Sequence, residues 1–348
     1  REHGVEYIGH LIEDNNQHSR TGSSLGHYFR GLAGEDMSGI DDIGGQVLPQ
    51  GEELPGNSFQ MRDGHFYHYV LGKLASSAAA IEPLKKGRSM CEIFGAYGWS
   101  EGVQLEKFLL DHFLVRGVNH YVPHAFSAKD FPDPDCPPHF YAHGNNPQYR
   151  HFGSLMKYAN RMCELISGGT HIAPAAILYQ GESDWCSDCM MMQEPARLLA
   201  EAQIEYDFIP SDVFAERESY RTEIGSTLKV NTQEYQILIV PKYNYIPKAA
   251  ADGIAEFLKK GGQVFFIEDY PENCCEGMAL PEEIRRGICL SLPELLPALE
   301  KTKVREVRIT PANRRLHYLH YKEETDRYLF VNEDHADYTG EIYMEKKG

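Results

Sequence analysis

The sequence predicts an α/β chain in which parallel strand–helix units lead into a doubly wound parallel sheet and end in a short antiparallel region. Three observations predict it. Short apolar segments alternate with helical patterns from residue 5 to residue 267, as parallel pairing through crossovers requires. A clear amphipathic helix over 149–166, stopped by Gly168-Gly169, separates one such series from the next. Beyond residue 303 the pattern changes to period two, punctuated by turn residues, which is the pattern of antiparallel strands. The domain boundaries that follow are 1–168, 169–302 and 303–348.

Residues 5–12, VEYIGHLI, read as a buried parallel strand, and the polar run from Glu13 to His18 follows at its end. Residues 22–30 lead into a helix, and 36–45, DMSGIDDIGG, read as a second strand with Asp41 and Asp42 near its end. The loop at 46–57, rich in Gly, Pro and Glu, is long enough to serve a site rather than merely connect. Residues 67–81 form a helix whose small residues, Ala75 to Ala80, suit close packing. The strand SMCEIFG (89–95) carries Glu92 and runs out into Phe94, Tyr97 and Trp99. A helix over 102–116 shows one apolar face at helical spacing, through Leu105, Phe108, Leu109, Leu114 and Val115. The strand at 118–123 then leads to His124 and a proline-rich stretch, 128–147, that excludes a continuous helix. Its aromatics Phe131, Phe140 and Tyr141 suit a wall beside a binding site. In the second series, strands are expected at 172–179, 204–209, 235–240 and 263–267, with helices at 195–202 and 247–260. The antiparallel strands fall at 304–309, 316–321, 327–332 and 340–345, and resemble part of a β-sandwich.

Bulk properties narrow the function classes. The chain has 348 residues, 42% hydrophobic and 24% charged, which is ordinary for a globular protein. A net charge of −17 repels phosphate backbones, so nucleic acid is not an expected partner. No apolar run approaches the ~20 residues that cross a bilayer, so no membrane partner is expected. The N-terminus lacks a signal-peptide pattern, and the eight scattered cysteines read as free thiols, which together favour a cytoplasmic location. Cys186-Ser-Asp-Cys189 has half of a zinc spacing, but the adjacent pair Cys274-Cys275 is a poor second half. No Gly-rich phosphate loop follows the first strand of the second series, where the sequence is QGESDW.

Residues at the C-terminal ends of barrel strands point into a site mouth. A lone carboxylate there among aromatic rings, as Glu92 is, suits carbohydrate: rings stack on sugar faces and a carboxylic acid protonates acetal oxygens. The competing structural account has Glu92 paired with an arginine inside a barrel. Four strand–helix units precede the helix at 149, where a closed barrel needs eight. Their segments GHLIEDN, GHYFR with DMSGIDDIG, SMCEIFGAYGW and GVNHYVPHAFS, with the run PPHFYAHGNNPQYRHF, resemble large multidomain glycoside hydrolases of the α-L-rhamnosidase-like type. The resemblance implies strands five to eight of a (β/α)8 barrel, then a flavodoxin-like or glutamine-amidotransferase-like domain, then β-sandwich strands. Either half a barrel lies upstream of residue 1 or another chain completes it.

Carried over to these positions, the resemblance implies that Glu92 is the seventh-strand carboxylate and Glu13, after the fifth strand, its catalytic partner. Asp41, Tyr97, Trp99 and His124 then match substrate-contacting positions, and Asn15 joins them from the polar cluster after the first strand. Glu13 and Glu92 would stand two strand spacings apart, ~9–10 Å between backbones, which suits an inverting hydrolase. One of the two should have a raised pKa, through burial against Tyr97 or Trp99 or through the other carboxylate. The alternative from another class is a catalytically incomplete carbohydrate-binding or scaffold protein. A Ser- or Cys-dependent enzyme in the second domain is disfavoured, since the strand before Pro241 runs into KYNYIP with neither nucleophile. That domain reads instead as an oligomerisation or mouth-shaping module, so a homo-oligomer is among the expectations. No cofactor is expected. Calcium held by Asp41 and Asp42 is the one cation left open, although acidic residues near a sugar site more often bond hydroxyl groups.

Overall fold

The computed structural model describes residues 3–11, 14, 18, 26–52 and 63–345. Two parallel sheets share one hydrophobic core. The first is three-stranded, in the order β1 (Ser38–Ile43), β2 (Ser89–Gly95), β3 (His120–Pro123). Each strand pairs in parallel with its chain neighbour, which the right-handed helical crossovers between them allow. Ahead of β1, Ile8 bridges Met37 in parallel, extending the layer by one more position. Over the described residues 5–11 the segment is therefore not the buried strand that the apolar run at 5–12 predicts. Residues 3–8 are exposed, and a single bridge, the bonds from Asp36 N to Tyr7 O (2.8 Å) and from Tyr7 N to the Asp36 carboxylate (3.0 Å), and the Arg88–Glu6 ion pair (2.7 Å) hold the segment against β1. Gly39 permits this seating: a Cβ there would lie 1.8 Å from the Gly9 carbonyl oxygen.

The second sheet follows a two-residue strand, β4 (Thr170–His171). Its strands are β5 (Ala175–Leu178), β6 (Tyr206–Ile209), β10 (Ile237–Val240), β12 (Gln263–Ile267) and β14 (Ile288–Leu290). Between β6 and β10 lies a small antiparallel sheet that the sequence pattern did not reveal, β7 (Glu223–Ile224), β8 (Leu228–Val230) and β9 (Gln233–Tyr235). Its strands of two and three residues are too short to show a period. A short ladder joins β11 (Tyr245–Ile246) to β13 (Asn273–Cys274). The five-stranded order is β14-β12-β10-β5-β6, all parallel. Renumbered within the sheet this is 2-1-3-4-5, one of the doubly wound orders. The crevice expected where that order reverses is filled from within: the buried Tyr243 hydroxyl donates to the Leu178 carbonyl at 2.8 Å.

The C-terminal strands are β15 (Val307–Thr310), β16 (Leu316–Lys322), β17 (Asp326–Asn332) and β18 (Glu341–Met344), all antiparallel where they pair. β16 also pairs with β4, so the backbone ladder crosses the boundary that composition placed near residue 303.

The element common to both sheets is the helix Gly72–Ile81, every residue of which is buried. A helix buried all round must present small or apolar side chains on every face, and GKLASSAAAI does so except at Lys73, which is paired. Its Ser38-facing side accepts from the Ser38 hydroxyl at Ala75 O (2.8 Å). On the other side Ser77 accepts from Phe208 N (2.9 Å) and donates to Asp207 (3.1 Å), while Lys73 pairs with Glu205 (3.1 Å). Gly72 brings it against the following helix, Val103–Leu114, since a Cβ there would press within 3.2 Å of Phe113. The turn before it, Tyr67–Leu71, is a π-helix.

A second tie between the sheets is made by the short helix Tyr28–Gly31. Arg30 binds both oxygens of Asp212 (2.8 and 2.6 Å) and pairs with Glu182. His27 caps that helix through Nδ1, which accepts from Arg30 N at 3.2 Å. Burial, with the Arg30 charge adding to it, pushes the His27 imidazole down to about 4.

Two expectations follow. Ala78→Leu inserts bulk where both sheets meet the helix and lowers stability by about 1–3 kcal/mol, read as a shifted urea midpoint at constant slope. The neutral His27 contributes fully above the unfolded-state value near 6.5 and is lost as pH falls toward 4. Stability should therefore drop by up to about 3 kcal/mol across that window, and His27→Asn, which keeps a capping acceptor, should remove that part of the drop.

Candidate active site

β1 and β2 run in register, with Asp41 opposite Glu92, and Glu92 opposite Val122 on β3. In-register residues on adjacent strands face the same side, so Asp41 and Glu92 share the face opposite the covering helices. That face is open: the Glu92 side chain is 32% exposed and Val122 is 46% exposed. The ladder is irregular just beyond, between Asp41 and Ile43, and Phe94 and Ala96 adopt positive φ of 79° and 55°. Left-handed backbone at a buried phenylalanine costs free energy of order 1 kcal/mol or more, and such outliers cluster at functional sites.

Glu92 has a basic neighbour, but it is not an arginine. His10 Nε2 lies 3.2 Å from Glu92 Oε2, and His10 Nδ1 lies 2.5 Å from the Leu11 carbonyl oxygen. Both ring nitrogens thus face acceptors, which only the imidazolium satisfies. The hydrogen bond to Glu92 accordingly raises His10 to about 9, burial opposing, and the same bond holds the Glu92 carboxyl below the usual carboxylate range. Asp41 goes the other way. Burial raises it to about 8, the charges of Asp14, Glu92 and Asp42 adding and that of His10 opposing. Asp14 accepts from the Asp41 backbone N–H at 2.6 Å and pairs with the buried His18. The two carboxyls are thus driven in opposite directions, Asp41 upward and Glu92 downward.

The remaining expected residues separate. Neither Tyr97 nor Trp99 raises Glu92, contrary to the expectation from the aromatic cluster, because both point elsewhere. The Tyr97 hydroxyl donates to Asp42 Oδ1 at 2.7 Å and accepts from Val47 N at 3.2 Å, pinning the loop that follows β1. Trp99 is 42% exposed and packs edge-on against Phe131 (5.5 Å) and His139 (5.6 Å), forming a wall past the strand end. Phe140 is not part of that wall: it is buried and stacks on Phe152 at 4.3 Å. His124 follows β3, its backbone N–H bonded to Ile93 O (2.8 Å) and its charge acting on Glu92. Glu13 and Asn15 lie outside the described residues.

Sequence reasoning missed His10 and Asp14. His10 is a polar residue in phase with Ile8 inside an apolar run that ends in acidic residues, and that phase was the available signal. A cleft of about 980 Å³, lined by Leu48, Ser100, Phe108, Gln148 and Glu333 among others, does not include Glu92. Asp42 is engaged by Tyr97, and among the described residues the three-donor group close enough to share a metal ion is His68, His112 and Glu333, away from this face. No helix among the described residues is long and apolar enough to cross a membrane.

No family model matches the chain, and no curated protein matches it by sequence. Solved structures do match. The rhamnosidase from Novosphingobium sp. PP1Y aligns with a TM-score of 0.63 and 16% identity, covering 95% of this chain and 32% of that one. Gan42B, a GH42 beta-galactosidase from G. stearothermophilus, aligns with a TM-score of 0.64 and 12% identity, covering 93% of this chain and 57% of that one. The beta-galactosidase from Rahnella sp. R3 aligns with a TM-score of 0.50 and 12% identity over 88% of this chain and 44% of that one. The chain thus spans about a third of the rhamnosidase and little more than half of Gan42B. At these identities the likeness is one of architecture: the chain shares its α/β fold with parts of these three enzymes.

Proposed function

We propose that the chain hydrolyses O-glycosidic bonds on the open face of its first sheet, with Glu92 as the ionised carboxylate and Asp41 as the proton donor. In this reading Ile8, β1, β2 and β3 mark strands five to eight of a (β/α)8 barrel. The five-stranded sheet is a flavodoxin-like domain, and the C-terminal strands belong to a β-sandwich-like region. The observation that carries the proposal is two in-register carboxyls in unlike surroundings, Asp41 buried beside other acids, which pushes it up, and Glu92 hydrogen-bonded to His10, which holds it down. Two titratable groups driven apart in this way are the usual arrangement of a glycosidase acid and its partner.

The chemistry follows from those states. Asp41 gives its proton to the glycosidic oxygen as the bond to the anomeric carbon breaks. Glu92 faces the positive charge that develops on the sugar ring. Neighbouring parallel strands lie ~4.8 Å apart, so this pair suits the ~5–5.5 Å separation of retaining enzymes. In that geometry Glu92 bonds the anomeric carbon, and Asp41, now ionised, takes a proton from the water that releases the sugar. This replaces the inverting Glu13–Glu92 arrangement as the leading assignment and makes Glu13 the competitor. His124 and the Trp99–Phe131 wall would contact the sugar, while Tyr97 shapes the mouth through the loop at Val47.

A panel of nitrophenyl glycosides tests the assignment. Glu92→Gln should lower kcat by about 10³-fold or more while ligand-induced thermal stabilisation by the sugar persists. Asp41→Asn should lose turnover comparably, but least with the best leaving groups, which need no protonation. If Glu13→Gln and not Asp41→Asn shows that leaving-group dependence, Glu13 is the acid. Sugar-induced stabilisation with no phenol release from any glycoside would assign the chain as a carbohydrate binder instead.

The pH profile gives an independent check. Activity requires Glu92 ionised and Asp41 protonated, so kcat/KM should hold at acid pH until Glu92 titrates, below the usual carboxylate value. It should fall on the alkaline side near pH 8, where Asp41 loses its proton. His10→Gln should move the acid limb upward.

A further inference from the structure

We propose that His68, His112 and Glu333 form a structural metal site, with zinc as the expected ion. All three are buried, and each offers a donor atom within 4.8 Å of the others. They come from distant parts of the chain. His68 lies in the π-helical turn Tyr67–Leu71, His112 in the helix Val103–Leu114, and Glu333 just past β17. The rings of His68 and His112 meet edge to face at 5.2 Å.

His112 is the residue that calls for a ligand. It is fully buried, and neither ring nitrogen makes a hydrogen bond among the described residues, although Nδ1 lies 2.9 Å from Glu333 Oε1 on the side where a shared ion would sit. An orphaned nitrogen in a dry interior costs about 1–3 kcal/mol, and an unseen ion is one of the few explanations for it. Imidazole and carboxylate donors suit zinc, and a zinc site would draw these atoms to ~3.4 Å from one another, an adjustment of about an ångström. His317 Nε2 lies 3.4 Å from the second Glu333 oxygen but outside the three-donor group. Glu333 and Phe108 line the cleft of about 980 Å³, which offers the ion a route to the cluster. Closed by protein donors, such a site would bind the C-terminal hairpin to the helices beneath the first sheet, independently of any chemistry at Glu92.

The rival cation is Arg116. Its guanidinium donates to both Glu333 oxygens (2.6 and 3.3 Å) and to the carbonyls of His68 and His112 (both 2.7 Å). If Arg116 alone neutralises Glu333, the protein holds no metal.

Metal analysis of the dialysed chain decides between them. The expected result is about one zinc per chain, removed by dipicolinate with a fall in Tm, and restored by zinc or cobalt(II). Cobalt(II) in the stripped protein should show the visible bands of a tetrahedral nitrogen–oxygen site. His112→Gln and His68→Gln should each reduce bound metal at least tenfold. Because each variant also removes a buried contact that supports the fold, the wild-type cobalt spectrum stands as a separate criterion. No bound metal together with no cobalt bands overturns the proposal. So does stoichiometric metal that survives both substitutions, or a cobalt spectrum dominated by thiolate charge transfer, which would move the site to the cysteines.

Discussion

The fold depends on one constraint: a single helix, Gly72–Ile81, must satisfy two sheets at once. β1 and β2 lie on one side of it and β6 on the other, and none of its ten residues reaches solvent. Small side chains let both layers approach. Of its polar side chains, Lys73 and Ser77 find partners on β6 and just ahead of it, and Ser76 donates back to the Lys73 carbonyl at 3.3 Å. Those contacts are buried, so an unmatched member would carry its full desolvation cost. The first sheet, with the carboxyls it presents, is therefore held at a defined distance from the second domain rather than tethered to it.

Much of this was legible in the chain. The run Ala75 to Ala80 announced a closely packed helix, and the period of Phe152, Leu155 and Ala159 fitted the helix Tyr149–Leu165 nearly to its ends. The strands β2, β5, β10 and β12 were visible as apolar runs bounded by turn residues. The run at 5–12 was misread because its apolar residues suggested burial, whereas burial depends on what stands opposite. Short elements escaped for a different reason: β7, β8 and β9 have two or three residues each and show no period. The pairing of β16 with β4 was invisible because a ladder between residues 170 and 322 leaves no local mark.

The site was legible in its residue types and not in its wiring. Glu92 and Asp41 stood out as carboxyls at strand ends. Their charge states depend on His10 and Asp14, which reach them across the sheet, and no spacing rule predicts such contacts. Tyr97 was read as facing a sugar because it follows Glu92 closely, yet the irregular backbone at Phe94 and Ala96 turns it toward Asp42. Sequence proximity was a poor guide where the strand stopped being regular.

Gly39 contributes no functional atom, yet it governs the electrical character of the whole face. Because it lacks a methyl group, the backbone at Gly9 can lie flush against β1 and deliver an imidazolium to the neighbouring carboxyl. The acidity of that group is thus inherited from an empty space one strand away, and a reader hunting for reactive side chains would pass over the residue that sets it.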